Sequence, residues 1–381
     1  MEKSIIVIGG GVIGLSCAYK LAQKGMQVKV LEEGACGARA TTASLGVLMP
    51  YVPTIEKPTA ILQRTSLDMY EDFAKELVEF SGVDIEFEKL GHLQVLHSEK
   101  QLEKAKKTVE RSNELDKQVN GQPAFEMLTF EQAKELEPNL TEAKFGCMYS
   151  RMTGNLSTEK LVEALKAACL KLNVEILENI SVEDIIIDEN KTATGVKTTD
   201  TEIFADNVLI ATGAYSSKFK HIIGNLGEIL SQKGEALELK LEERKFDRLI
   251  KMAGFYALCK KDGTTFIGST SSRKPDFSED VKEKSINMLM KGGQRIIPSI
   301  TKEDIVRAWA GHRPHSYLGS PLLGKCDEAK NLFVATGHGK IGICTAPFTA
   351  KIISSLIAEG EELIDLTPFR VNKLKQPGSK D

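Results

Sequence analysis

Apolar and polar positions alternate in two distinct periods along this chain, and the first change of period comes early. Ser4 to Ile8 is a short unbroken apolar run that predicts a strand buried on both faces. Three glycines at positions 9, 10 and 11 follow, and from there to about Lys24 the apolar positions take helical spacing. A second strand is predicted from Gln27 to Leu31, ending at Glu32. Strand, helix and strand in this order predict parallel pairing with a helix crossing over one face.

Further along, Leu62 to Phe80 has helical spacing, with Leu67, Tyr70, Phe73, Leu77 and Phe80 on a shared face. Residues 83–98 read as two strands broken near Gly91, and charged helices follow to about residue 137. Ser157 precedes a helix carrying Leu161, Leu165, Ala168 and Leu172, although Lys160 stands where a full capping box has an acid. Residues 174–210 read as successive strands with turns at 188–191 and 198–201, ending in VLIATGAYS. From about 226 to 307 the pattern becomes strands separated by charged turns, with a helix from about Val281 to Met290. An antiparallel sheet with one open face suits a substrate wall. Residues 331–357 return to strand, Gly-rich turn and helix, with Thr345 the expected N-cap and Pro347 in the first turn.

These elements predict an α/β protein: a Rossmann-like nucleotide-binding domain built from 1–82, 142–225 and 308–375, with an inserted antiparallel-sheet substrate domain from 83–141 and 226–307. A chain of 381 residues can bury two such cores. The net charge of -3, with Lys and Arg dispersed, argues against a nucleic-acid partner and favours a small molecule. Seven cysteines (Cys17, Cys36, Cys147, Cys169, Cys259, Cys326 and Cys344) form no CxxC pair, so neither a metal site nor a disulfide framework is expected. The chain reads as cytoplasmic and reduced. The first apolar stretch is interrupted by glycines and completed by Gln27 to Glu32, unlike a signal peptide. No run of about twenty uninterrupted apolar residues predicts a transmembrane segment. A homo-oligomer is left open.

Candidate chemistry starts at the first glycines. In GxGxxG, Gly9 permits the tight turn, Gly11 lets backbone approach a pyrophosphate, and Gly14 lets helix and strand pack closely. Val12 and Ile13 open the helix whose N-terminal amides and dipole favour an anion. Glu32, 18 positions after Gly14, can accept hydrogen bonds from ribose hydroxyls, and Glu33 lies beside it. In the irregular stretch 34–50, Arg39, Thr41, Thr42 and Ser44 offer donors near the nucleotide, or form a solvated loop. Thr212 and Gly213, at the end of a strand, let backbone approach the adenosine half. The Gly337–Gly342 turn, with His338, Gly339, Lys340 and Ile341, repeats the anion-binding logic. A flavin is the beneficiary, because a helix N-terminus aimed at its pyrimidine end stabilises the charge that reduction places there. Tyr256 is either a half-buried sheet aromatic or part of a substrate wall. His92 and His97 have no evident catalytic partner and are assigned no function.

With GGGVIG and Glu32, ARATTASLG (38–46), KGE (233–235), FYAL (255–258), WAGHRP (309–314) and GHGKIGICTAP (337–347), the chain resembles the FAD-dependent D-amino acid oxidase family. Within it, the resemblance is nearest to the glycine oxidase branch and the related bacterial D-amino acid dehydrogenases. It implies a flavin-contacting loop at Arg39, Thr41, Thr42 and Gly46, and a turn over the isoalloxazine at Gly337, Gly339, Lys340 and Gly342; the opening fingerprint and the absence of an evident His or Cys linkage motif make the expected FAD non-covalent. Tyr256 and Arg313 match the residues that hold the substrate carboxylate. The implied reaction is oxidation of glycine or a small D- or N-substituted amino acid, with O2 or a quinone as acceptor; a non-catalytic flavoprotein is the alternative. Two departures fall near the pocket: His315, Ser316, Tyr317, Leu318 and Gly319 replace the family's usual Thr, Asp-Gly and Pro, and Lys340 stands where glycine oxidase has Arg.

Overall fold

The computed structural model describes residues 3–50, 58–119, 123–272 and 274–371. Residues 1–2, 51–57, 120–122, 273 and 372–375 of the expected domains therefore lie outside the described residues.

A six-stranded sheet forms the nucleotide side, in the order 322–325, 332–336, 207–210, 4–8, 27–32, 175–178. All its pairings are parallel except that of 322–325 with 332–336. Alternation within the first strand explains how it is covered on both sides. Ile5 and Val7 face a core shared with the helices Val12–Gln23, Pro58–Ser81, Thr158–Lys171 and Gly342–Ala358. Ile6 and Ile8 face Val182, Ile185, Ala193 and Val196 of a small antiparallel sheet on the other side. The predicted helix after Ser157 is present, and the Ser157 hydroxyl accepts from Lys160 N–H.

The second large sheet has eight strands, in the order 305–316, 229–240, 264–268, 255–259, 249–252, 92–95, 147–150, 126–128. It is antiparallel except where 249–252 runs parallel to 92–95. Two of its strands, 147–150 and 305–316, come from segments expected on the nucleotide side. The second pairs along its length with 229–240, from Ile229↔Ser316 to Leu239↔Ile305. One row across the sheet, Leu237, Ile267, Ala257, Ile250 and Leu93, is buried against the helix Glu283–Ile296. The next row, Ala236, Gly268, Tyr256, Lys251, Gln94 and Met148, points to the opposite face. One face is thus core and the other faces the nucleotide side.

Three boundaries differ from expectation. The strands near Gly91 exist, at Glu88–Lys89 and His92–Val95, but belong to different sheets. The helix expected to end at Met290 runs through Gly292 and Gly293 to Ile296. A Cβ on Gly292 would lie 2.3 Å from the Phe255 ring, so a glycine that usually weakens a helix here admits its neighbour. The last long helix starts at Gly342, and Thr345 is not its cap but bonds back to Ile341 O (2.9 Å). Pro347 is therefore inside the helix and leaves the Ile343 carbonyl without its usual amide. The Tyr70 hydroxyl donates to that carbonyl at 2.7 Å, which offsets the loss. By length and composition Gly339–Ala358 could cross a membrane, but 78% of its most apolar 18-residue stretch is buried inside the fold, as expected for a core helix.

Candidate active site

The carboxyl ends of the parallel strands and the open face of the eight-stranded sheet enclose a cavity of about 870 Å³. Open α/β sheets bind ligands at this edge. Ile8, Gly9 and Glu32 line one end, and Tyr256, Ser269 and Arg313 line it further on.

At the nucleotide end the glycines divide the work. A Cβ on Gly14 would stand 1.9 Å from Gly9 O, and one on Gly9, at φ +108°, would stand 2.6 Å from Ala211 O. Both are packing requirements. Gly11 meets only Thr41 Oγ1 at 3.5 Å, so its open side lies on the cavity wall. Thr41 accepts from Val12 N–H (3.0 Å) and so satisfies one of the free amides at the helix start. Glu32 accepts from Gly10 N–H (2.7 Å) and Gly34 N–H (3.1 Å), which fixes the turn. A carboxylate has about four acceptor sites, so this leaves capacity for hydroxyls. Arg39 pairs with Glu33 (2.9 Å) and lies 4.2 Å from the centre of the Tyr215 ring. The loop carrying these groups is pinned from the far side, where Trp309 Nε1 donates to Ala43 O (3.0 Å).

The other end is built on glycine as well. A Cβ on Gly234 would lie 2.0 Å from Arg313 Nη1, so the guanidinium rests against bare backbone. It donates to Thr270 O (3.2 Å) and Ser269 Oγ (3.1 Å). Thr270 is braced in turn by Glu235, which accepts from its hydroxyl at 2.8 Å. This accounts for KGE as a unit: glycine admits the arginine and glutamate holds its support. Arg313 forms no ion pair among the described residues, and burial lowers its affinity for the proton. The Tyr256 ring lies over Gly268, where a Cβ would come within 2.6 Å of its hydroxyl. Burial pushes the Tyr256 pKa up to about 12, against the opposing pull of Arg313 and Ser269, so the phenol stays a donor.

The Gly337–Gly342 turn lines the same cavity, with Gly337 at φ +78° and Gly339 at φ +55°. His338 is buried, bonded to Thr349 Oγ1 (3.3 Å), and kept neutral by a pKa lowered to about 3. Burial lowers the Lys340 pKa, and Arg313 and Lys251 lower it further.

Of the residues expected here, Gly9, Gly11, Val12, Ile13, Glu32, Glu33, Arg39, Thr41, Ser44, Thr212, Gly213, Tyr256, Arg313 and the turn 337–342 all line the cavity. Gly14, Thr42 and Gly46 do not. Thr42 bonds Gly37 O (3.0 Å), and a Cβ on Gly46 would strike Leu156 O at 2.1 Å, so each shapes the wall from behind. Lys251, Gln94, Ser269 and Tyr215 were not expected and line the same cavity. The available signal for Lys251 was the Ala253–Gly254 turn, both at positive φ, which fixes the hairpin register and sets Lys251 opposite Tyr256.

Gly11, the free capacity of Glu32 and a cavity continuous to the isolated guanidinium fit a dinucleotide cofactor with a small anion at its reactive end. Curated relatives include the glycine oxidases of Pseudomonas putida and Bacillus subtilis. Each is 28% identical over 371 residues; the matches cover 97% of this chain and 98% and 96% of those proteins. The crystal structure of glycine oxidase from Geobacillus kaustophilus superposes with a TM-score of 0.89 at 27% identity, covering 98% of this chain and 99% of that one. Residues 4–356 match the family described as FAD dependent oxidoreductase, and the chain belongs to that family.

Proposed function

We propose that this enzyme oxidises the C–N bond of a small amino acid, glycine or a D- or N-substituted relative, and that Arg313 binds the substrate carboxylate. The observation that carries this reading is Arg313 itself. A partly buried guanidinium supported on two neutral oxygens, with no described carboxylate beside it, calls for an anionic partner. The planar fork matches a carboxylate, and Tyr256 adds a neutral donor at the same place.

FAD, held non-covalently by the glycine turn at 9–14, Glu32 and the loop carrying Arg39 and Thr41, would supply the electron sink for a hydride. The α-carbon loses that hydride, the nitrogen lone pair forms the C=N bond, and the amine's proton leaves to water. Water then adds to the imine and releases a 2-oxo acid with ammonia or an amine; O2 would take up the two electrons with two protons, one that travelled with the hydride and one from water, giving H2O2. The chain's work is orientation. Arg313 and Tyr256 anchor the carboxylate, the turn 337–342 borders the same space, and no side-chain nucleophile is required.

The test is anaerobic mixing of purified protein with glycine, sarcosine, proline and paired D- and L-amino acids, followed at the flavin absorbance. Bleaching by glycine or D-forms is expected, with reoxidation on admitting O2. No bleaching by any amine would end this reading, and reoxidation by a quinone but not O2 would replace the acceptor. Tyr256→Phe is expected to lower kcat/KM about fivefold, the loss of one neutral hydrogen bond of about 1 kcal/mol, since the arginine still holds the carboxylate. A fall above a hundredfold in steady-state rates would give the phenol a larger role. Glu32→Arg is expected to weaken FAD retention, because it removes the acceptor for two turn amides and presents a cation to the ribose. Flavin fluorescence released on dilution measures this; unchanged retention would remove Glu32 from the cofactor site.

A further inference from the structure

We propose that the substrate carries a second carboxylate, and that Lys251 binds it at the end of the cavity beyond Tyr256. This rests on the preceding reading, in which Arg313 takes the first carboxylate.

The argument begins with register. Cross-strand partners point to the same face of a sheet, and Lys251 is the partner of Tyr256 on one side and Gln94 on the other. All three line the cavity. Lys251 therefore stands on the substrate wall, one strand beyond the tyrosine, and not on a solvent face. Ser269, which holds the Arg313 guanidinium, follows the strand on the other side of Tyr256. With strands about 4.8 Å apart, Lys251 and Ser269 are separated by roughly two strand spacings at the backbone, while Arg313 itself stands on 305–316, four strands from 249–252, and brings its guanidinium to Ser269 along its side chain. Long side chains lean across part of that gap, leaving room for a short two-acid molecule.

Charge gives the second line. The Lys251 ammonium has no hydrogen bond or ion pair to any described residue, and the ammonium groups of the neighbouring cavity residues Lys104 and Lys340 have none either. The acids on the cavity wall are committed elsewhere. Glu32 holds the glycine turn, Glu33 pairs with Arg39, and Glu235 braces Thr270. His92, two residues before Gln94 and on the same face, is buried and uncharged, its pKa lowered to about 3 by burial and by Lys251. The ammonium is crowded by protein and repelled by Lys104, and both effects lower its pKa. Ordinary amino acids such as glycine need only one anion site, already provided by Arg313. A cluster of cations without counter-charge beside that site is complementary to an additional anion, and repels a cationic or apolar side chain.

The second acid can sit on the α-carbon side chain, as in D-aspartate and D-glutamate, or on the nitrogen, as in N-carboxymethylglycine. Steady-state kinetics of the holoenzyme with these three, against D-asparagine, D-glutamine and N-ethylglycine as uncharged counterparts, separates the two sources. At least one diacid is expected to exceed its counterpart in kcat/KM by tenfold or more, mainly through KM, and Lys251→Met is expected to reduce that ratio at least tenfold. Lys251→Gln should behave like the methionine variant, and Lys251→Arg should restore much of the preference. Equal handling of every diacid and its counterpart, or a ratio unmoved by Lys251→Met, overturns the proposal.

A binding experiment keeps it separable from amine oxidation. Succinate and glutarate should perturb the oxidised flavin spectrum at concentrations at least tenfold lower than butyrate, and Lys251→Met should abolish the difference. If that difference is seen while no amine bleaches the flavin, the two-acid site stands and the oxidation reading fails. If glycine bleaches the flavin but diacids and monoacids bind alike, the oxidation reading stands and the two-acid site fails.

Discussion

Arg313→Ala is expected to lower kcat/KM for amino acid oxidation by about two to three orders of magnitude. The estimate comes from the cost of leaving one member of a buried ion pair alone, roughly 3 to 5 kcal/mol, applied to a substrate carboxylate in the bound complex. The guanidinium's supports, Thr270 O and Ser269 Oγ, remain after the change, but neither is a cation. Gly234→Ala attacks the same interaction without touching the arginine, because the new Cβ would occupy the place of Arg313 Nη1. It should reproduce a large part of the loss while leaving flavin content intact. A purely structural arginine makes a different pattern: stability would fall and turnover of folded enzyme would hold. Uncharged amines supply the control. If Arg313→Ala impairs an amine lacking a carboxylate as much as the amino acid, Arg313 does not bind the carboxylate.

The second large effect is expected at the first turn. Gly14→Val places a Cβ 1.9 Å from the Gly9 carbonyl, and both contacting groups are backbone, so neither can swing away. Overpacking of ordinary cores costs about 1 to 3 kcal/mol, and here the strain falls on the turn that shapes the cofactor site. The expected product is colourless protein with lowered thermal stability, read from the flavin-to-protein absorbance ratio and a melting curve. Gly11→Ala is the comparison that assigns the cause. Its Cβ meets nothing closer than Thr41 Oγ1 at 3.5 Å, so the fold should persist while FAD retention drops at least tenfold. Full flavin content in Gly11→Ala would mean that the open side of Gly11 faces no pyrophosphate.

The opening unit was legible because its signals are local: an apolar run, three glycines, a helical period and a terminal acid lie within thirty residues of one another. The eight-stranded sheet was legible only in part. WAGHRP was placed with the nucleotide segments by its position in the chain, whereas its strand joins 229–240 through pairing that no local pattern encodes. Pro347 read as a helix start, since sequence cannot show that a tyrosine 277 positions earlier supplies the missing donor (347 - 70 = 277). The helix read as ending near Met290 continues for the same reason: the Phe255 ring against Gly292 and the Ile267 and Ile300 side chains against Gly293 arrive from outside the helix. Lys251 is the sharpest case. A lysine among apolar strand residues looks like an exposed position until the register on both sides is known.

The ribbon formed by 229–240 and 305–316 bears on how this enzyme can move. Its first residue, Ile229, is packed with Ile6 and Val208, while Leu237 and Leu239 near its far end are packed with Ile250 and Leu289. One continuous ladder thus has a foot in each core, with a single irregularity near Leu239. A clamshell motion of the two halves would have to bend this beam or shear its hydrogen bonds, and such packed units switch between discrete arrangements and do not flex smoothly. On the proposed function, substrate entry and product exit are then expected at small segments of the rim, with the spacing between the glycine-turn end and the arginine end held like two marks engraved on one ruler.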